Sequence, residues 1–181
     1  RSLEVGELAA VTSGGAGSVN LESALQLIVD GSLSTQSGAL EVASLGGAIT
    51  LGSTSELETA SGALSLSAAT SLSQADGSSI ASTSGAISLE ARGDISVAQV
   101  NTGADASVVS SAGRILDSGD SAKDFSVSGN LSLEALNGVG TTGAGALDLS
   151  AATLEVVNTA DGAIYLNITG AVEVTSAVVS G

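Results

Sequence analysis

Gly62-Ala63-Leu64-Ser65-Leu66-Ser67-Ala68 and Gly85-Ala86-Ile87-Ser88-Leu89-Glu90-Ala91 are one phrase written twice, 23 residues apart. Its kernel is glycine, a small residue, an aliphatic, a polar residue and a second aliphatic. The kernel recurs at Gly38–Val42, Gly47–Leu51, Gly93–Val97, Gly129–Leu133, Gly145–Leu149, Gly162–Leu166 and Gly170–Val174. Aliphatic residues alternate with Ser, Glu, Thr, Asp or Tyr, the two-residue period of a strand with one buried and one wet face. Glycine before each strand fits a corner, where a residue without Cβ reaches positive φ at no steric cost.

Between the clear copies the first aliphatic residue of each strand keeps a steady beat. From Leu40 it falls on Ile49, Leu57, Leu64, Leu72, Ile80, Ile87 and Ile95, at steps of seven to nine residues. Three such steps carry Leu40 to Leu64 and Leu64 to Ile87. A chain with three short strands and three corners in about 23–24 residues can stack each strand on its equivalent one turn later, at the spacing of about 4.8 Å between paired strands. The expected fold is therefore all-β: a parallel β-helix, or β-solenoid, with three short strands per coil. Seven or eight coils fit, making a rod about 35 Å long.

One solenoid module is expected over residues 1–181. Residues 1–37 form an N-terminal coil or cap, and residues 98–130 an irregular coil or loop insertion, anchored by Ile115 and Phe125. Leu21–Val29 carries both periodicities; as a strand it extends the coil, as a short helix it caps the rod, and the strand is preferred. An antiparallel sandwich would also show many short strands. It would be expected to show tight-turn pairs such as Asn137-Gly138 more than once, and it has no need of one phrase in nearly every strand.

Composition agrees. Hydrophobic residues make up 43% of the 181-residue chain, yet there is one Phe, one Tyr, and no Trp or Met. Small side chains must fill the core, which suits a narrow tube better than a sphere. Such aliphatic content also argues against disorder. The formal charge is −15, with Arg1, Arg92, Arg114 and Lys123 as the only cations. Nucleic acid binding needs clustered cations, so no nucleic acid partner is expected. No apolar run is long enough for a spanning helix, so no membrane insertion is expected. The start at Arg1 lacks the plan of a signal peptide and suggests a processed product or fragment.

The longer phrase Gly-Ala-Ile/Leu-x-Leu-x-Ala, at Gly62–Ala68, Gly85–Ala91 and Gly145–Ala151, resembles the central repeats of filamentous-haemagglutinin-type adhesins, which are exported by two-partner secretion. Autotransporter passengers are similar. The resemblance runs from about Gly38 to the end. It implies a right-handed β-helix forming the shaft of a bacterial adhesin, secreted and held at the cell surface. The secretion domain of that family carries Asn-Pro motifs, and a chain without proline could only be shaft.

Candidate sites are few. With no His and no Cys there is no imidazole base, thiol nucleophile or usual zinc set. Four cations and two aromatic residues leave little for a saccharide groove, so no catalytic residue, cofactor or metal site is assigned. The acidic run Asp117–Asp124 could offer oxygens to calcium, but its spacing fits neither the EF-hand nor the glycine-rich nonapeptide, and a solvated loop is preferred. Asp76-Gly77 and Asp161-Gly162 are turn pairs. Asn130-Leu131-Ser132 and Asn167-Ile168-Thr169 match the glycosylation sequon without being assigned. No two threonines are separated by one residue, which removes the Thr-x-Thr arrays of ice-binding faces. Phe125 and Tyr165 read as packing or corner residues.

The expected function is a structural rod within an extracellular surface adhesin, without catalytic activity. Its partners would be flanking solenoid coils and a host or neighbouring cell surface. The alternative is a self-assembling extracellular fibre subunit, in which like subunits stack end to end through open edges. A third reading is a β-helix that binds or cleaves polysaccharide.

Overall fold

The computed structural model describes residues 1–119 and 122–180, and the chain winds through eight coils of a parallel β-solenoid. The first face stacks Leu3–Val5, Leu27–Val29, Ile49–Leu51, Leu72–Gln74, Ile95–Val97 and Ile115–Asp117. It is prolonged by single parallel bridges from Ile115 to Val139 and from Val139 to Ile164. The second face stacks eight strands from Ala10–Ser13 to Leu166–Ile168. The third stacks eight from Val19–Ser23 to Glu173–Val179. Every strand pairing among the described residues is parallel, so the sandwich is excluded.

The first-aliphatic series lands as the spacing predicts. Leu40 pairs with Leu64, and Leu64 with Ile87, on the third face. Ile49, Leu72 and Ile95 form a column on the first face. Leu57 and Ile80 stack on the second. These side chains, with Leu66, Leu89 and Val108, are at most 1% exposed and fill one continuous core. Burying each such side chain stabilises by about 1.5–3 kcal/mol. The Leu21–Val29 segment becomes two strands, Val19–Ser23 and Leu27–Val29, on different faces, with Leu25 exposed at the corner between them.

The glycines act differently from the sequence expectation. Of the nine that open the phrase, only Gly162 and Gly170 have positive φ. At Gly38, Gly62 and Gly85 the constraint is contact between coils: a Cβ on Gly62 would strike the carbonyl oxygen of Gly38, and one on Gly85 that of Gly62. Backbone stacks on backbone at this corner, and a side chain would hold the coils apart.

A buried hydroxyl three residues earlier completes the corner. Thr35 Oγ1 donates to the Gly38 carbonyl at 2.6 Å and Thr59 Oγ1 to that of Gly62 at 2.5 Å. Ser82 Oγ accepts the Gly85 N–H at 2.8 Å. The corner leading from the third face to the first repeats the device, with Gly47 N–H donating to Ser44 Oγ and Gly113 N–H to Ser110 Oγ. Buried polar groups need such partners, and here a neighbour along the chain supplies them.

Residues 98–130 carry the strands Val100–Thr102, Ala106–Ser110, Ile115–Asp117 and Phe125–Val127, which continue the three faces. The turn from Val97 to Val100 has only two intervening residues, and Ala98 is fully buried in it. Gln74, in the coil below, compensates: its Oε1 accepts the Ala98 N–H and its Nε2 donates to the Gln99 carbonyl, both at 3.3 Å. Phe125 then fills the second-face column between Val100 and Leu149.

Candidate functional site

Outward columns are the first surface a partner would meet. On the third face Asn20, Glu41, Ser65, Ser88, Ser107, Ser132 and Glu155 follow one another at successive rungs. The carboxylates are dispersed: in the paired strand registers of the described residues no Asp or Glu lies opposite another, and Glu56 and Glu58 are flanked on both sides by Ser or Ala. Like charges on adjacent rungs would destabilise the sheet, and interleaving avoids that cost.

Three other carboxylates work between coils. Asp94, Asp105 and Asp124 each stand immediately before the first inward residue of a strand, one on each face. Asp94 Oδ1 accepts the Arg114 N–H at 2.9 Å, Asp105 Oδ1 the Asn130 N–H at 2.8 Å, and Asp124 Oδ2 the Asp148 N–H at 2.7 Å. Ser18 Oγ takes the Ala39 N–H in the same way. The acidic run thus divides: Asp124 is buried at a coil junction, whereas Asp117 Oδ1 accepts the Gly119 N–H in a local turn. Asp120 and Ser121 lie outside the described residues. No group of three or more metal-ligating acidic side chains occurs among the described residues.

The sequon asparagines are both engaged with the next coil or the previous one. Asn130 Oδ1 accepts from Thr153 Oγ1 at 2.8 Å, and Asn167 Nδ2 donates to Asp148 Oδ1. Phe125 is fully buried, while Tyr165 is 38% exposed. No helix among the described residues is long and apolar enough to cross a membrane.

Two places stand out as candidate contact surfaces. One is the last coil. Val174 and Val179 continue columns in which Leu154 and Asn158 are at most 1% exposed, yet they are themselves 51% and 55% exposed. Asn158, directly beneath Val179, keeps Oδ1 buried without a hydrogen-bond partner among the described residues.

The other place is the corner between the third and first faces over the later coils. Asp94, Arg114, Gly138 and Ala163 follow one another at successive rungs there, as the ladder bonds from Ile95 to Arg114, Ile115 to Gly138 and Val139 to Ala163 show. A cleft of about 430 Å³ is lined by Asp94, Arg114, Asn137 and Asp161. A second of about 280 Å³ shares Arg114 and Asn137 and adds Thr142 and Tyr165. Gly140, Thr141 and Thr142 also line it, at the start of a loop to Ala146 that is braced by the 3-10 turn Gly143–Gly145 and by the Thr141 N–H donating to the Gly145 carbonyl at 2.7 Å. The count of cations and rings did not reveal this gathering, because Arg114, Asn137 and Tyr165 sit in successive coils.

No protein-family model matches the chain, and no curated protein or solved structure matches it.

Proposed function

We propose that this chain is a structural rod, a shaft segment of a bacterial extracellular surface adhesin, without catalytic activity of its own. The observation that carries the reading is the continuous parallel stacking of rung on rung along three faces around one aliphatic core. On the third face Leu40, Leu64 and Ile87 lie one above another, each at most 1% exposed. Each rung is stabilised by the next one laid upon it, which buries aliphatic side chains and pairs N–H and C=O groups.

Further support comes from the shaft's sides. Their outward columns are mostly small and hydroxylated, with carboxylates spaced apart, a surface suited to staying extended and solvated. The likeness of Gly62–Ala68 and its copies to filamentous-haemagglutinin-type repeats adds the extracellular, cell-surface setting. Flanking coils are the partners this reading requires, and the cell surface carries the rod.

Electron microscopy of the purified 181-residue chain tests it, together with immunogold labelling of the cells that make it. Short separate rods and label outside the cell are expected. Regular filaments with an axial repeat near the rod length would replace the shaft by the self-assembling fibre subunit, which uses the same stacking of rungs. Label confined to the cell interior would overturn both.

A further inference from the structure

We propose that the corner cleft around Arg114 binds an uncharged, hydroxyl-rich ligand, an oligosaccharide of neutral hexoses. The proposal rests on the cleft alone and holds whether or not the rod belongs to an adhesin.

The chemistry of the lining selects the ligand class. Asp94 and Asp161 bring acceptors, Arg114 brings a fork of donors, and Asn137 brings an amide. An anionic chain would meet two carboxylates on a molecule of net charge −15, so charge disfavours it. Neighbouring hydroxyl groups, each able to donate and accept, fit a surface on which both kinds of group alternate. Tyr165 adds a partly exposed ring, on which the apolar face of a pyranose can lie.

Shape supports the same choice. The two clefts share Arg114, Asn137 and Gly162 and so lie side by side in a groove along this corner of the rod. The four rungs from Asp94 to Ala163 extend about 14 Å, enough for several linked sugars and more than one needs. A peptide recognised by strand addition needs an open sheet edge, and the rungs under this groove are already bonded to their neighbours on both sides. The groove is also held in place. Asn137 Nδ2 donates to the Ala112 carbonyl at 3.0 Å, the Asn137 N–H donates to the Gly113 carbonyl at 2.9 Å, and Asp94 is tied to the Arg114 main chain. Ligand binding would therefore cost little ordering of these groups.

The test is a titration of the isotope-labelled 181-residue chain with glucose-, galactose- and mannose-based trisaccharides to hexasaccharides, followed by amide chemical shifts. Saturable shifts confined to Asp94, Arg114, Asn137, Asp161 and the 140–146 loop are expected in at least one series. Arg114→Ala and Tyr165→Ala should each weaken that binding by about tenfold or more, while Ser88→Ala, on the third face, should leave it unchanged. If either cleft variant fails to fold, Thr142→Trp, an exposed loop substitution that fills the second cleft, should still abolish binding. No shift in any series would overturn the proposal, as would shifts elsewhere or binding unaffected by the cleft variants. Binding only of uronate or sulfated oligosaccharides, lost in high salt, would overturn the ligand class assigned.

Discussion

Thr59 and Ser82 lie on adjacent rungs of the second face with their hydroxyl oxygens 3.0 Å apart, both buried. Thr59 donates to the Gly62 carbonyl, and Ser82 accepts the Gly85 N–H. The polar column therefore sits inside the wall without being unsatisfied, and it fixes the corner at which backbone approaches backbone. Thr59→Val keeps the shape and removes the hydroxyl. It should lower unfolding free energy by about 1–3 kcal/mol, the cost of stranding a buried polar group, whereas Thr59→Ser should remain within about 1 kcal/mol of the parent. Urea denaturation of the two variants measures the difference, and equal stability would show that the hydroxyl is dispensable.

Glycine at the same corner gives a sharper contrast. A methyl group on Gly62 would meet the Gly38 carbonyl one coil below, while one on Gly14 would meet nothing within 4 Å. Both positions have backbone that other residues can adopt, so the contrast isolates coil contact from conformational freedom. Gly62→Ala should destabilise by about 3 kcal/mol or more, and Gly14→Ala by less than about 0.5 kcal/mol. Thermal unfolding followed by circular dichroism would reveal the gap. Similar melting temperatures for the two would refute the contact account.

Asp105 separates charge from hydrogen bonding. Its Oδ1 holds the Asn130 N–H at a coil junction. Asp105→Asn retains an oxygen acceptor and should cost little, whereas Asp105→Ala should cost about 1–2 kcal/mol. Amide exchange reads it directly: protection at Asn130 should fall in the alanine variant and persist in the asparagine variant. Loss in both would mean that the negative charge, and not the acceptor, does the holding.

How much of this was legible in the sequence follows from what repeats. Leu40, Leu64 and Ile87 declared the coil because inward positions recur at nearly constant spacing, and a parallel ladder forces equivalent residues to meet. The corner rule was present too, as Thr35 before Gly38, Thr59 before Gly62 and Ser82 before Gly85, but glycine's familiar role in turns concealed its role in contact. Gln74 could not have been foreseen. Its burial depends on a corner two residues long in the following coil, and no local pattern marks a polar residue in an inward column. The groove at Arg114 was hidden for a related reason: Asp94, Arg114, Asn137 and Asp161 are 20 to 24 residues apart at each step, and only the varying coil lengths decide which of them share a corner.

Dispersed carboxylates lead to the last prediction. Ser65 pairs with Glu41 on one side and Ser88 on the other, so Ser65→Glu would place two carboxylates on adjacent rungs, about 4.8 Å apart. Ser107 pairs with Ser88 and Ser132, and Ser107→Glu adds the same charge without a like neighbour on either rung. Both variants raise the net negative charge equally and both side chains face outward, so the general repulsion of an acidic rod cancels in the comparison. The residue is the rung contact, worth about 0.2–1 kcal/mol between exposed groups. Ser65→Glu should be the less stable of the two at low ionic strength, and the difference should shrink towards zero in about 1 M salt, where the screening length falls to about 3 Å. A difference that persisted in high salt would point to packing of the longer side chain, and one of opposite sign would show that carboxylate spacing along the rod has no bearing on its stability.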